Sequence, residues 1–221
     1  MELCKYKRKI YFVVIMFVVI TFFIASCFLL NSRNTNSSYK QAVHDLMLLI
    51  SDNEADCDIY INLVDENECF IKIFIYLDGT VLNQLHRAYD INSIVYTYLN
   101  DNFDTSWILQ IKYYSKIDKN YVGKLPDLDY LEFSGSNQTG INTLYYNVDE
   151  NVEFYKFVND KIYFKNITHL LIGSKVKFLD YSIFLVFPNI EQLSISNRII
   201  DYNENINSYL ENNPNIETFV W

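Results

Sequence analysis

The hydrophobic positions divide the chain into one unbroken apolar run, a polar spacer and a long body in which apolar residues recur at regular intervals. Residues 10–30 are apolar apart from a few small or weakly polar side chains. At about 1.5 Å per residue, a helix of this length crosses the ~30 Å hydrocarbon layer of a bilayer. Basic residues from Lys5 to Lys9 precede the run, and basic flanks stay on the cytoplasmic side. The sequence therefore predicts a membrane anchor over 1–30 with an extracytoplasmic body.

Two other fates of this segment stay open. A cleavable signal peptide is one, although its apolar core is usually shorter, about 7 to 15 residues. A lipid anchor is the other, because Ile24-Ala25-Ser26-Cys27 resembles the lipobox of bacterial lipoproteins, in which the cysteine is lipidated. The apolar run continues past Cys27 to Leu30, which favours an uncleaved helix. Each fate leaves the body on the same side of the membrane.

Residues 31–38 are rich in Ser, Asn and Thr, which predicts a flexible tether. The apolar spacing beyond them predicts helices with period 3.6 and strands with period 2. These elements are a helix beginning after Ser37 or Ser38, strands over 58–64 and 70–77, a helix over 80–99 and a strand over 107–114. The order helix, strand, strand, helix, strand predicts a small α/β region over 39–120.

The remainder, residues 121–221, carries a repeated pattern. All three prolines stand in one context, and short runs that follow them share the spacing L-x-x-L-x-L. The contexts are Leu125-Pro126-Asp127-Leu128, Phe187-Pro188-Asn189-Ile190 and Asn213-Pro214-Asn215-Ile216. The runs after the prolines are Leu128/Leu131/Phe133, Ile190/Leu193/Ile195 and Ile216/Phe219, and a copy without a proline is Ile167/Leu170/Ile172.

These runs resemble leucine-rich repeats, whose period is about 20 to 29 residues. The steps from Ile167 to Ile190 and from Ile190 to Ile216 are 23 and 26 residues, whereas the step from Leu128 to Ile167 is 39 and requires an insertion near 143–163. The resemblance implies parallel strands, each followed by a packing segment, stacked as a solenoid. The predicted fold class is α/β: a transmembrane helix, a small α/β layer and a short leucine-rich-repeat-like solenoid. Because the last run extends to Trp221, we expect a partner or further repeats to cover it.

Composition, charge and motifs argue against several classes of function. The formal net charge is −9, and 26 of the 27 acidic residues lie beyond Leu30, which argues against nucleic-acid binding. Asp78-Gly79 resembles the first motif of haloacid-dehalogenase-type phosphatases, but Tyr76 occupies the position of the nucleophilic aspartate. The three histidines, His44, His86 and His169, show no ligand spacing. We predict no enzyme activity, no metal and no cofactor.

The exported location permits a disulfide between Cys57 and Cys69, the two cysteines outside the anchor. A hairpin with its turn near residues 65–68, however, places the strand partner of Cys57 near Tyr76. The sequence therefore favours two free thiols.

A binding surface is expected on the concave strand face of the repeats, where residues between the core positions are exposed. These are Tyr130, Glu132, His169, Leu171, Gln192, Ser194, Thr218 and Val220. Such a mixture suits a protein or glycan partner. The leading hypothesis is a bacterial-type, membrane-anchored surface protein that binds such a partner. The alternatives are an accessory subunit of a cell-envelope complex, docked through residues 39–115, and a degenerate hydrolase.

Overall fold

The computed structural model describes residues 39–64, 67–116, 128–149, 152, 154–177, 179, 181–197 and 204–221. The chain divides into two compact units, 1–44 and 45–221. In the first unit residues 39–44 are helical, and the predicted anchor and tether lie outside the described ranges. Of the helices within those ranges, none is both long and apolar enough to span a bilayer.

The described residues of the second unit form one mixed sheet and five helical segments, so the mixed α/β class is confirmed. Its helices are α1 (45–51), α2 (Val81–Asn102), α3 (Tyr155–Asn159), α4 (Ile183–Val186) and α5 (Glu204–Asn212). Its strands are β1 (Asp56–Leu63), β2 (Glu68–Leu77), β3 (Ser106–Ser115), β4 (Tyr130–Ser136), β5 (Gly140–Asn147), β6 (His169–Ile172), β7 (Gln192–Ile195) and β8 (Glu217–Val220).

The eight strands lie side by side in chain order. Strands β1 and β2 form an antiparallel hairpin, and α2 crosses from β2 to a parallel β3. Strand β4 is antiparallel to both of its neighbours, whereas β5 to β8 are all parallel. Because β3 pairs with β4, one sheet continues from the predicted α/β region into the predicted repeat region.

The N-terminal half follows the sequence prediction closely. Strands β1, β2 and β3 lie within two residues of the predicted bounds, and α2 begins after Thr80, whose hydroxyl accepts a hydrogen bond from the Asn83 amide. Helix α2 buries one stripe at 3.6-residue spacing, which includes Leu85, Ala88 and Val95. That stripe faces the inward side chains of β2 and β3 in one hydrophobic core.

The two cysteines lie at opposite ends of the first hairpin. Cys57 pairs with Ile75 and Cys69 pairs with Leu63, both side chains are buried, and no disulfide joins them. This agrees with the expected strand register to within one residue. Burial raises the pKa of the Cys69 thiol above its ordinary value, which disfavours the reactive thiolate.

The prediction that Leu128, Leu131 and Phe133 form a parallel repeat copy was wrong. Strand β4, which carries Leu131 and Phe133, is antiparallel to β3 and to β5. The reason is the connection to β5: residues 137–139 make a tight turn, and a parallel crossover needs a dozen residues or more. Ser136 Oγ accepts hydrogen bonds from the amides of Gln138 and Thr139, which stabilises that turn.

The strand that does continue the parallel set is β5, which the sequence analysis did not identify. It lies at the start of the long interval treated as an insertion, yet Ile141, Leu144 and Tyr146 share the spacing of the recognised copies. Leu144 pairs with Leu170, and Leu170 pairs with Leu193. Strands β6 and β7 are therefore in the predicted register, with Ile172 beside Ile195.

The predicted alignment of β8 was wrong by one residue. Thr218, not Phe219, lies opposite Leu193, because backbone hydrogen bonds from Glu217 to Glu191 and from Trp221 to Ile195 fix the register. A shift of one residue exchanges the two faces of a strand. Thr218 and Val220 therefore stand in the core-facing rows, and Phe219 turns to the opposite face.

Candidate functional site

The sheet has one face against the hydrophobic core and a second face of different composition. Inward side chains such as Ile73, Ile111 and Leu170 belong to the core together with residues of all five helices. Side chains on the second face belong to no such cluster, even where they are buried. We call this second face the aromatic face; it contains Phe74, Tyr76, Tyr114, Tyr130 and Tyr145 at its centre.

Aromatic rings cross the middle of this face from strand to strand. The ring of Tyr114 lies 6.3 Å from Tyr76 and 5.6 Å from Tyr130, and Tyr130 lies 5.5 Å from Tyr145, measured between ring centroids. The Tyr76 hydroxyl donates a 2.9 Å hydrogen bond to Asp58. Contacts at these separations are favourable beyond the burial of area alone. The result is a continuous aromatic ladder over β2, β3, β4 and β5.

An ion pair lies beside the ladder. Lys112 Nζ is 2.9 Å from Glu132 Oε2, and each side chain is less than one-fifth exposed. Gln110 donates a hydrogen bond to the same carboxylate, and the Lys112 ammonium stands 4.6 Å from the centroid of the Tyr130 ring. A cation over an aromatic ring is attracted by the ring quadrupole. These contacts hold Tyr130 and Glu132 in fixed positions.

The tyrosines of the ladder remain neutral at physiological pH. Burial, followed by Tyr145 and Glu132, raises the pKa of Tyr130 well above its ordinary value. Burial and the charge of Glu132 raise the pKa of Tyr114 to about 12. Neutral phenols both donate and accept hydrogen bonds while their rings supply apolar area. The face can therefore bind a partially apolar surface without introducing new charge.

The aromatic face continues over β6, β7 and β8 in a more exposed form. Register places Leu171, Ser194 and Phe219 in the row of Glu132 and Tyr145. His169 and Gln192 lie in the adjacent row. The His169 Nδ1 is 2.8 Å from the Thr168 hydroxyl, and Gln192 donates a 3.2 Å hydrogen bond to Glu217. This part offers mostly short polar groups around one leucine and one phenylalanine.

The structure brings six of the eight sequence-predicted site residues onto the aromatic face. These are Tyr130, Glu132, His169, Leu171, Gln192 and Ser194. Thr218 and Val220 are on the opposite side, as a consequence of the register of β8. Glu217 and Phe219 occupy the two positions on the aromatic face that the sequence had predicted for Thr218 and Val220.

The sequence analysis missed the part of the face that β2, β3 and β5 supply. Gln110, Lys112 and Tyr114 alternate with core residues along β3, which is the signal that identifies an outward row. The same alternation assigns Thr143 and Tyr145 to this face on β5, once β5 is known to be a strand. The repeat pattern does not include β3, and it assigns residues 143–163 to an insertion, so it predicts neither of these rows.

Catalytic chemistry finds little support in the described residues. Tyr76 fills the position that a phospho-aspartyl mechanism requires for its nucleophile, and its hydroxyl is committed to Asp58. Asp78 is exposed, and its carboxylate oxygen Oδ2 lies 3.7 Å from Lys116 Nζ. Within the described ranges no three histidine, cysteine, aspartate or glutamate side chains are grouped as metal ligands.

Comparison of this chain with protein families, with characterised proteins and with solved structures found no match, so the geometry above is the basis for a functional assignment.

Proposed function

We propose that this chain is a membrane-tethered, leucine-rich-repeat-like protein that binds a protein partner on the aromatic face and does not act as a catalyst. The single observation that carries the proposal is the aromatic ladder Tyr114, Tyr130 and Tyr145 beside the Lys112–Glu132 pair. Protein interfaces concentrate their binding energy in tyrosines and in desolvated, hydrogen-bonded polar groups of this kind.

The repeat-like part of the proposal is supported by strands β5 to β8. They are consecutive and parallel, and the connections between them contain the helices α3, α4 and α5 in turn. Turns at Pro188 and at Pro214 precede β7 and β8, as the shared proline context predicts; Pro126 lies outside the described residues. Repeat proteins commonly use the exposed strand rows of such an array for recognition.

Support for the membrane tether comes from the sequence alone. An uncleaved helix over residues 10–30 and a lipid on Cys27 both leave the aromatic face extracytoplasmic, where a surface partner is accessible. The bacterial-type assignment rests on the lipobox-like residues that end at Cys27.

Site-specific photo-crosslinking in the native cell tests the proposal. A photoreactive phenylalanine analogue replaces Tyr145 in the full chain, and matched analogues replace Leu185 on α4 and Thr97 on α2, both exposed and remote from the aromatic face. We expect irradiation to produce a discrete protein adduct from position 145 and none from position 185. An adduct from position 97 alone contradicts docking on the aromatic face and favours the accessory-subunit function.

Alanine substitutions refine this test. His169→Ala and Gln192→Ala remove partly exposed groups of the aromatic face without touching the Lys112–Glu132 pair. We expect each to reduce the adduct from position 145 while the melting temperature of the protein stays unchanged. An undiminished adduct in both variants restricts the interface to β2, β3, β4 and β5.

A further inference from the structure

A cleft of about 790 Å³ opens on the other side of the sheet, away from the aromatic face. It lies between α2, the turn that joins β4 to β5, and the segment from the end of α3 to the start of β6. Clefts of this size are typical of small-molecule sites. This cleft shares no lining residue with the aromatic face described above.

The walls of the cleft combine aromatic rings with neutral polar groups. Tyr89, Tyr96 and Tyr163 contribute rings, and Phe164 supports Tyr89 at a centroid distance of 5.4 Å. The neutral polar side chains are Asn92, Ser93, Gln138, Thr139, Asn166 and Thr168. A ligand with a ring and several hydroxyl groups satisfies both sets at once, because its C–H face stacks on the tyrosines while its hydroxyls bind amides and alcohols.

One polar group at the base of the cleft is already oriented. Asn92 is only 8% exposed, and its side-chain oxygen accepts a 2.7 Å hydrogen bond from the Tyr113 hydroxyl. No described residue bonds the amide nitrogen of Asn92, which leaves that N–H group directed to other acceptors. That nitrogen is not among the fully buried, unbonded polar atoms of the described residues, so it remains accessible from solvent. The cleft therefore contains a preset hydrogen-bond donor.

The charge of the cleft is opposite to that of the chain. Lys161 and Lys165 are the only charged residues among its described lining, although the whole chain carries a formal charge of −9. Both lysines are exposed, and neither forms an ion pair with a described carboxylate. Ammonium groups without a carboxylate beside them attract an anionic ligand.

Lys161 occupies a backbone position that favours glycine. Helix α3 ends with hydrogen bonds from the amides of Lys161 and Ile162 to the carbonyls of Val158 and Phe157. This arrangement requires a left-handed residue after the helix, and Lys161 has φ +57°. A lysine is less stable than glycine there, and residues held at such a cost are concentrated at functional sites.

We propose that this cleft binds an acidic saccharide, with its sugar ring against the tyrosines and its carboxylate between Lys161 and Lys165. The ring hydroxyls bond the Asn92 amide and the amides and hydroxyls around it. Neither the anchor nor the aromatic face enters this proposal.

Calorimetric titration of the full chain tests it, in a detergent without a sugar headgroup. The probes are oligosaccharides of glucuronic acid and of N-acetylneuraminic acid, with neutral glucose oligosaccharides of equal length as the comparison. We expect saturable binding of an acidic probe that weakens with added salt, and no measurable binding of the neutral ones. Absence of binding to every acidic probe, or equal binding of neutral ones, overturns the proposal.

Two lysine variants separate binding from stability. Lys165→Gln should raise the dissociation constant about tenfold at an unchanged melting temperature, because one charge-assisted hydrogen bond is lost. Lys161→Gly should weaken binding similarly and raise the melting temperature, since glycine adopts the left-handed conformation freely. Lys177→Gln is the matched control: Lys177 is exposed, pairs with Asp149 and lies outside the cleft. Unchanged binding in both cleft variants contradicts the proposal.

Discussion

At the scale of single residues, hydrogen bonds between elements decide how buried polar groups are accommodated. Tyr113 is fully buried, and its hydroxyl ties β3 to Asn92 on α2. Burial raises the pKa of Tyr113 well above its ordinary value, so it stays a donor. The indole nitrogen of Trp107, also buried, has no hydrogen-bond partner within the described residues. The alternation along β3 shows that Tyr113 points inward, but only the packed structure shows that Asn92 meets it.

Loss of this hydrogen bond should destabilise the protein. Tyr113→Phe should lower the free energy of unfolding by about 1 to 3 kcal/mol, because the buried oxygen of Asn92 loses its donor while the ring still fills the core. Equilibrium denaturation with urea measures the change. Tyr60→Phe, at a tyrosine that is 53% exposed, is the control and should alter stability by less than about 0.5 kcal/mol. Equal effects of the two substitutions would refute this account.

At the scale of elements, the hairpin of β4 and β5 determines where the parallel part of the sheet begins. The strands approach closely at Gly135, where a Cβ atom would overlap the backbone carbonyl of Gly140. The register also shifts between Ser134 and Gly135, as in a β-bulge. Gly140 itself has φ +69°, but a Cβ there meets no atom closer than 3.9 Å. The two glycines are therefore required for different reasons.

A pair of alanine substitutions distinguishes these reasons. Gly135→Ala should destabilise the protein by at least about 2 kcal/mol, because the overlapping atom belongs to the backbone and has no alternative rotamer. Gly140→Ala should cost about 1 kcal/mol, the strain of a left-handed residue alone. Thermal and urea unfolding of both variants measure the difference. If Gly140→Ala is the more damaging of the two, the close approach at Gly135 is not a real constraint.

At the scale of the whole second unit, one sheet separates two kinds of surface. The core lies on the helix side, and tyrosines dominate the other. Burial is the largest influence on the pKa of several of them: the pKa of Tyr114 rises to about 12, and those of Tyr76 and Tyr130 rise further. On the helix side, burial likewise raises the pKa of Tyr98, a residue of α2, to about 12. The fold therefore favours protonated phenols.

This preference predicts alkaline unfolding. An unfolded tyrosine ionises near pH ~10. Below that pH the tyrosines are protonated in both the folded and the unfolded state, and their contribution to the free energy of unfolding is complete. Above it the unfolded state releases protons first, so the free energy of unfolding falls as pH rises from about 10 through about 12. Urea unfolding at a series of alkaline pH values, with tyrosinate absorbance recorded in parallel, checks the result. Tyr114→Phe should flatten the slope by up to about one proton. A stability independent of pH in this range would contradict the buried ladder.

Much of the candidate site could be predicted from the sequence, but not its extent. The spacing L-x-x-L-x-L marked Leu170 and Leu193 as core, which placed His169 and Gln192 on the opposite face. The same spacing failed at Phe219, because a pattern of aliphatic residues does not fix which backbone groups pair. Tyr145 was missed for another reason: the 39-residue step from Leu128 to Ile167 was assigned to an insertion, although Ile141, Leu144 and Tyr146 repeat the same spacing within it.

The sequence by itself determined the local elements, the stripe of α2 that is buried, and the alternation that gives each strand a core side. Those features depend on residues a few positions apart, so the periods 3.6 and 2 are enough to reveal them. Only the tertiary structure decided that β4 runs antiparallel, that one sheet joins both halves, and that Tyr114, Tyr130 and Tyr145 form a ladder. Strand direction and register are set by turn length and by backbone hydrogen bonds between distant segments, which local periodicity does not encode.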